Sequence, residues 1–200
     1  MSEYIEAALM GERLWLRTAP GLFSPGHVDR GTAAMLSAVT FEPGQRVLDL
    51  GCGCGVVGLL AAKKCGAENV WLVDVDPLAV AIARENAQRN GVPQVTCLVS
   101  DGLSALDVTG FDLILSNPPY QSDFRVAKGF IEKGFNRLKI GGRLMMVTKR
   151  RAWYENKLRA IFGGVKVREI DGYFVFEAQR RSLRYGRKDR KAGETAPHSR

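Results

Sequence analysis

The apolar run Arg46-Val47-Leu48-Asp49-Leu50 passes directly into Gly51-Cys52-Gly53-Cys54-Gly55 and then into a helical stretch from Val56 to Cys65. Strand, glycine loop and helix in that order restrict the chain to a small set of α/β folds. The glycines let the backbone turn tightly and approach a ligand, and the helix N-terminus supplies free N–H groups. Gly53-Cys54-Gly55-Val56-Val57-Gly58 also matches the G-x-G-x-x-G fingerprint of dinucleotide loops. The loop alone therefore does not separate one nucleoside-bearing ligand from another.

The rest of the chain repeats the alternation. Strand patterns at Val70 to Val73, Val95 to Val99, Phe111 to Leu115 and Arg143 to Thr148 are interleaved with helical patterns. The helical patterns lie at Gly31 to Val39, Pro77 to Asn90, Asp123 to Leu138 and Arg151 to Phe162, besides the one after the glycine loop. Gly91 follows its helix as a C-cap should, and Gly141-Gly142 is expected to break the chain before a strand. Two final runs, Val165 to Ile170 and Tyr173 to Ala178, flank Asp171-Gly172, a hairpin signal. The pattern predicts a Rossmann-like, doubly wound, mostly parallel sheet with helices on both faces and an antiparallel last strand. Ligands in such a sheet bind at the carboxyl ends of the strands.

Those ends carry the chemistry. Asp74 closes the second strand about 20 residues beyond the loop, where a carboxylate can hold both ribose hydroxyls. Ser100-Asp101 closes the third, and a carboxylate there can accept from an adenine amino group. Asp49, just ahead of the loop, suits an ammonium group and would repel a pyrophosphate. The fourth strand runs into Ser116-Asn117-Pro118-Pro119-Tyr120. An exocyclic amine on an aromatic base is a poor nucleophile because its lone pair is delocalised. The Asn117 side-chain oxygen and the Pro118 carbonyl can accept its N–H groups and turn the lone pair outward. The prolines stiffen the loop, and Tyr120 offers a stacking face. Read alone, the segment fits a polar turn after a strand equally well.

Taken together, Val47-Leu48-Asp49-Leu50-Gly51-Cys52-Gly53-Cys54-Gly55, Val73-Asp74-Val75-Asp76, Ser100-Asp101 and Asn117-Pro118-Pro119-Tyr120 resemble the motifs of class I S-adenosylmethionine-dependent methyltransferases, in the family's order. The resemblance covers roughly residues 40 to 180 and implies a seven-stranded sheet with S-adenosylmethionine as cofactor. It implies cofactor contacts from Asp49, Gly51, Cys52, Gly53, Gly55, Asp74, Val75, Asp101, Gly102 and Asn117. Catalysis would fall to Asn117, Pro118, Pro119 and Tyr120. The flanks Pro20-Gly21-Leu22-Phe23-Ser24, Asp29-Arg30-Gly31-Thr32 and Trp153-Tyr154-Glu155-Asn156-Lys157-Leu158 resemble the small-subunit ribosomal RNA guanine-N2 methyltransferases. Larger members of that group carry a second, degenerate domain copy at the N-terminus, whereas this chain is similar to the short single-domain relatives. A protein glutamine methyltransferase acting on release factors uses the same Asn-Pro-Pro-Tyr and is the alternative, followed by an adenine-N6 enzyme. An NAD-dependent oxidoreductase would need a hydride-transfer constellation, which does not accompany the loop.

The domain organisation expected is a cover segment over 1–40, the catalytic core over 41–180 and a basic tail over 181–200. At 200 residues and 46% hydrophobic, the chain can bury a full core. Cys52, Cys54, Cys65 and Cys97 are scattered and only His27 and His198 join them, so a zinc site is not expected and free thiols in a reducing cytoplasm are. No membrane span or leader pattern is legible, which predicts a cytoplasmic protein. Arg180, Arg181, Arg184, Arg187, Lys188, Arg190, Lys191 and Arg200 face only Asp189 and Glu194, so most of the net charge of +8 sits at the C-terminus. That tail is expected to be disordered when free and to contact RNA phosphates, either ribosomal RNA or a ribosomal subunit. Lys149, Arg150 and Arg151 would extend the basic surface along the strand-end loops, or else serve only as solvated helix-entry charges. Phe23, Ser24 and Thr32 are candidates to cover the pocket, with core packing the favoured reading of Phe23; His27 receives no role.

Overall fold

The computed structural model describes residues 3–20, 22, 27–118 and 124–186. In chain order its elements are β1 (Glu3–Leu9), β2 (Glu12–Thr18), α1 (Arg30–Ala38), β3 (Val47–Leu50), α2 (Val56–Cys65) and β4 (Val70–Asp74). They continue with α3 (Pro77–Arg89), β5 (Thr96–Val99), β6 (Phe111–Ser116), α4 (Phe124–Arg137), β7 (Leu138–Thr148), α5 (Arg151–Phe162), β8 (Lys166–Ile170) and β9 (Tyr173–Gln179). Seven strands form one sheet in the order β5-β4-β3-β6-β7-β9-β8. The first five pair in parallel, and β9 runs antiparallel to both β7 and β8. This is the doubly wound sheet expected, with the chain reversing direction outward from β3.

The period of two along each strand divides the core into two layers. Val47, Leu113, Leu115, Met145 and Val147 pack with α1, α2 and α3. Leu48, Leu50, Ile114, Leu144 and Met146 pack with α4 and α5. Both faces of the central strands are buried, which is why they read as continuous apolar runs rather than alternating ones. Asp49 shares the parity of Val47, so its side chain lies on the α2 face.

Two features depart from the sequence reading. The segment before α1 contains a hairpin, β1 with β2, joined through Met10 (φ 50°) and Gly11 (φ 81°) in the left-handed pair of a two-residue turn. Second, Gly141-Gly142 does not interrupt the chain. It lies inside β7, where the register with β6 shifts between Phe111 and Leu113. A Cβ at Gly142 would stand 2.6 Å from the Phe111 carbonyl oxygen, so glycine permits close strand approach there. The described part of α4 opens at Phe124; Asp123, where the pattern placed its start, lies outside the described residues.

The hairpin is bound to the sheet domain by apolar and polar contacts. Leu14 and Leu16 are fully buried with the α2 and α3 side chains. Along the outer edge of β2, the Asn90 side chain accepts from Trp15 N (2.9 Å) and donates to Trp15 O (2.8 Å). One helical turn away, Asn86 accepts from Arg17 N (2.7 Å) and donates to Arg17 O (3.0 Å) and to the Cys54 carbonyl of the glycine loop (2.9 Å). Two side-chain amides thus satisfy an otherwise free strand edge and tie it to the ligand loop.

Asn86 is fully buried, and Asn86→Leu would remove its hydrogen bonds to three backbone groups, Arg17 N, Arg17 O and Cys54 O. Urea unfolding of that variant should show a loss of about 3 kcal/mol, since each orphaned buried polar group costs roughly 1–3 kcal/mol. A loss below about 1 kcal/mol would show that the hairpin relaxes away from α3 without penalty.

Candidate active site

The carboxyl ends of β3, β4, β5 and β6 surround a cavity of about 350 Å³. The glycine loop forms its floor. Gly51 and Cys52 both donate backbone N–H groups to the Val73 carbonyl (2.8 and 3.0 Å), locking the end of β3 to the end of β4. Gly55, left-handed at φ 92°, is the N-cap of α2. A Cβ there would press on Leu72 at 3.0 Å, and one at Gly58 would meet the Leu72 side chain at 2.5 Å. These last two glycines of the fingerprint serve helix-to-strand packing, and Gly55 is not part of the cavity lining.

Asp29, Asp49, Asp74, Asp76 and Asp101 line the cavity, and Asp49, Asp74 and Asp101, which belong to the strand ends, are each held differently. Asp49 is buried, and its Oδ2 accepts from Gly58 N at the first turn of α2 (2.8 Å). Burial pushes its carboxyl up to about 7; the Gly58 N–H opposes the rise and the nearby Asp74 adds to it. Asp74 accepts from Gly53 N through Oδ2 (2.8 Å) and from Asp76 N through Oδ1 (3.0 Å), so it shapes both the glycine loop and the turn into α3. Each oxygen retains a second lone pair for a ligand. Asp101 is exposed at the rim, with Gly102 beside it against Phe130. Val75 and Gly53 complete this part of the lining.

Burial disfavours the thiolate at both cysteines of the loop. Burial raises Cys52 well above its ordinary value and Cys54 to about 11, which keeps both protonated near neutrality.

Asn117 follows β6, whose last residue, Ser116, donates its hydroxyl to the Leu50 carbonyl (2.8 Å) and so fastens this edge to the start of the glycine loop. The Asn117 amide nitrogen donates to Asp29 Oδ2 (2.7 Å) and to Thr32 Oγ1 (3.0 Å). Its Oδ1 is buried and has no hydrogen-bond partner among the described residues. Pro118 is buried and outside the lining, while Pro119, Tyr120, Phe23 and Ser24 lie outside the described residues. Asp29 is the residue that sequence reasoning missed. It is the N-cap of α1, accepting from Thr32 N (2.8 Å). An Asp just ahead of an apolar helical pattern is a signal that could have found the cap, but not the contact across 88 residues. Thr32 and His27 also line the cavity.

Beyond the cavity, the carboxyl end of β7 presents basic and aromatic groups. Arg150 lies over the Phe124 ring (5.2 Å), and that ring stacks on Trp153 at 4.3 Å. Lys149 lies over Tyr173 (5.0 Å), while Arg151 pairs with Glu155 (3.0 Å). Residues 187–200, most of the basic tail, lie outside the described residues. No described helix is long and apolar enough to cross a membrane.

Residues 13–177 match the family model of the methyltransferase small domain. A ribosomal RNA small subunit methyltransferase C of Pseudomonas putida is 34% identical over 185 residues, covering 90% of this chain and 55% of the relative. One from Hahella chejuensis is 38% identical over 160 residues, covering 78% and 46%. Among solved structures, the Thermus thermophilus 16S rRNA N2 G1207 methyltransferase in complex with AdoMet and guanosine superposes with a TM-score of 0.84 at 28% identity, covering 90% of this chain and 51% of that one. The chain spans about half the length of the curated relatives it matches.

The raised carboxyl of Asp49 makes a pH prediction. The unfolded chain releases this proton near 3.8, the folded protein near 7, so between those values the native state binds the extra proton. The stability that Asp49 contributes is therefore full below about pH 4 and falls as the pH rises to about 7. Urea unfolding of the wild type and of Asp49→Asn at both ends of that window should show the wild type losing ground to the neutral variant at the higher pH. A difference that stays constant would mean that the buried carboxyl ionises at its ordinary value.

Proposed function

The chain belongs to the methyltransferase small-domain family of class I S-adenosylmethionine-dependent enzymes, and we propose that it methylates the exocyclic amino group of a guanine in ribosomal RNA. The observation that carries this reading is the Asn117 side chain: its N–H groups are consumed by the protein and its oxygen is left as a buried acceptor without a partner among the described residues. Such an acceptor calls for an N–H donor, and an exocyclic amine supplies one. The names carried by the relatives from Pseudomonas putida and Hahella chejuensis support RNA over protein as the substrate.

The residues present fit S-adenosylmethionine. The cavity lies within the usual range for a ligand of that size, and its carboxylates are spaced along the strand ends. Asp49 would face the ammonium, Asp74 the ribose hydroxyls and Asp101 the adenine amino group; Gly51, Cys52, Gly53, Val75 and Gly102 would supply backbone and wall. Gly55 would act one step removed, by seating the loop. When bound, this cofactor supplies a methyl carbon activated by a sulfonium and open to direct displacement.

The protein's part is positioning and exclusion of water. Asn117 Oδ1 and the Pro118 carbonyl accept the two N–H groups of the target amine and turn its lone pair toward the methyl. Once methylated, the nitrogen is cationic and strongly acidic, so water suffices to take its proton. Pro119 would stiffen the loop and Tyr120 would stack on the base. Residues 41–180 would carry this chemistry under a cover formed by 1–40. Lys149, Arg150 and the tail over 181–200 would contact RNA phosphates in the cytoplasm.

Transfer of tritium from labelled S-adenosylmethionine should mark a guanine in ribosomal RNA, offered deproteinised or as subunits from cells lacking the protein. Label in a release-factor glutamine or at adenine N6 would replace the substrate assigned. Asn117→Ala should lower turnover ~100-fold or more, the scale of a lost transition-state hydrogen bond, with cofactor affinity nearly unchanged. Unaltered turnover would remove Asn117 from the mechanism. Asp74→Ala should weaken cofactor binding by about 2 kcal/mol, measured by calorimetry.

A further inference from the structure

We propose that Asp29 and Thr32 are positioning residues that set the direction of the Asn117 amide, so that the site presents a hydrogen-bond acceptor and no donor to the atom being modified. The inference rests on the methyltransferase reading for its catalytic consequence, but the arrangement is a property of the protein by itself.

An amide side chain has two faces of similar shape and opposite hydrogen-bonding character. Rotated by half a turn, Asn117 would offer N–H groups to the cavity and would repel the very amine it is meant to hold. What prevents this is the chemistry of its neighbours. Asp29, as a carboxylate, has only acceptors to offer, and its Oδ2 stands 2.7 Å from the Asn117 nitrogen. The reversed amide would set two oxygens against each other at that distance. Thr32 Oγ1, at 3.0 Å, takes the second N–H. With both donors used, Oδ1 is the remaining polar atom, and it is the one that lacks a partner among the described residues.

The clamp is itself held in place. The Asp29 oxygen that accepts from Asn117 also accepts from Thr32 N, and the Asp29 carbonyl accepts from Ala33 N (2.9 Å), so the carboxylate is fixed by the first turn of α1. Both residues are close to the cavity and line it. The accepting carboxylate also polarises the amide, which raises the negative charge on Oδ1. A site built in this way favours N–H-bearing nitrogens over carbonyl oxygens and unprotonated ring nitrogens.

Two variants separate the clamp from the helix cap. Thr32→Val keeps shape and backbone N–H but removes the acceptor; Asp29→Ser retains a capping oxygen but draws it back from Asn117. In 15N-labelled protein without substrate, the two Asn117 side-chain protons, assigned by their loss in Asn117→Ala, should be downfield and slow to exchange. Each variant should move them upfield and speed their exchange. In turnover with saturating ribosomal RNA, kcat should fall ~10-fold in each, the scale of one misplaced group, with KM and cofactor affinity within about 3-fold. Asp29→Asn, which can present an oxygen to both donors, should restore most of kcat. Unmoved side-chain protons would overturn the clamp, and so would an unchanged kcat beside a lower melting temperature, which would leave both residues merely structural. If the wild type transfers no methyl to RNA, the substrate reading fails while the proton shifts still decide the clamp.

Discussion

Burying one carboxylate under the first turn of a helix organises most of this protein's ligand edge. Asp49 leaves β3 on the face covered by α2 and accepts the Gly58 N–H, so strand, glycine loop and helix close on one another through that hydrogen bond. The contact demands that α2 come close to the sheet. Gly58 allows that approach, because any side chain there would collide with Leu72 of the neighbouring strand. The energetic cost appears in the raised carboxyl of Asp49, which sits among apolar neighbours with one N–H to compensate it. An ammonium group entering the cavity would supply what the fold withholds.

From this anchor the ligand edge is assembled by a few cross-links between strand ends. Val73 receives two N–H groups of the loop, Asp74 receives a third, and Ser116 ties β6 to Leu50. Such links make the loop rigid before anything binds, and a preorganised site spends less of its binding energy on ordering itself. Asn86 extends the same bracing outward, since one buried amide joins the Cys54 carbonyl to the edge of the N-terminal hairpin. The hairpin is thereby a support for the ligand loop as well as a cover for α2 and α3.

Asn117 differs from the other site groups in how it is controlled. The carboxylates are placed by the strand that carries each of them, whereas the Asn117 amide takes its direction from α1, an element far away in the chain. A hydrogen-bonding group with two opposite faces needs such an external reference, because β6 can place the side chain without choosing which end faces the cavity. The acceptor-only chemistry of Asp29 makes the choice.

Most elements were legible in the amino-acid sequence because their signals are local. Two-residue alternation and apolar runs marked the strands, glycine and Asp-Gly marked the turns, and the carboxylates at the strand ends followed from counting along each unit. The hairpin of β1 and β2 was missed although Met10-Gly11 lies between alternating runs, since its buried face is defined by α2 and α3 rather than by itself. Gly142 was misread as a break because a glycine that admits a neighbouring carbonyl looks the same in sequence as one that ends a strand. Chain order and residue type thus determined the sheet, the direction of its strands and the edge at which the cavity lies. Only the folded arrangement decided the orientation of Asn117, the raised carboxyl of Asp49 and the seating of the hairpin, because each depends on atoms brought together across long stretches of chain and on the water they exclude.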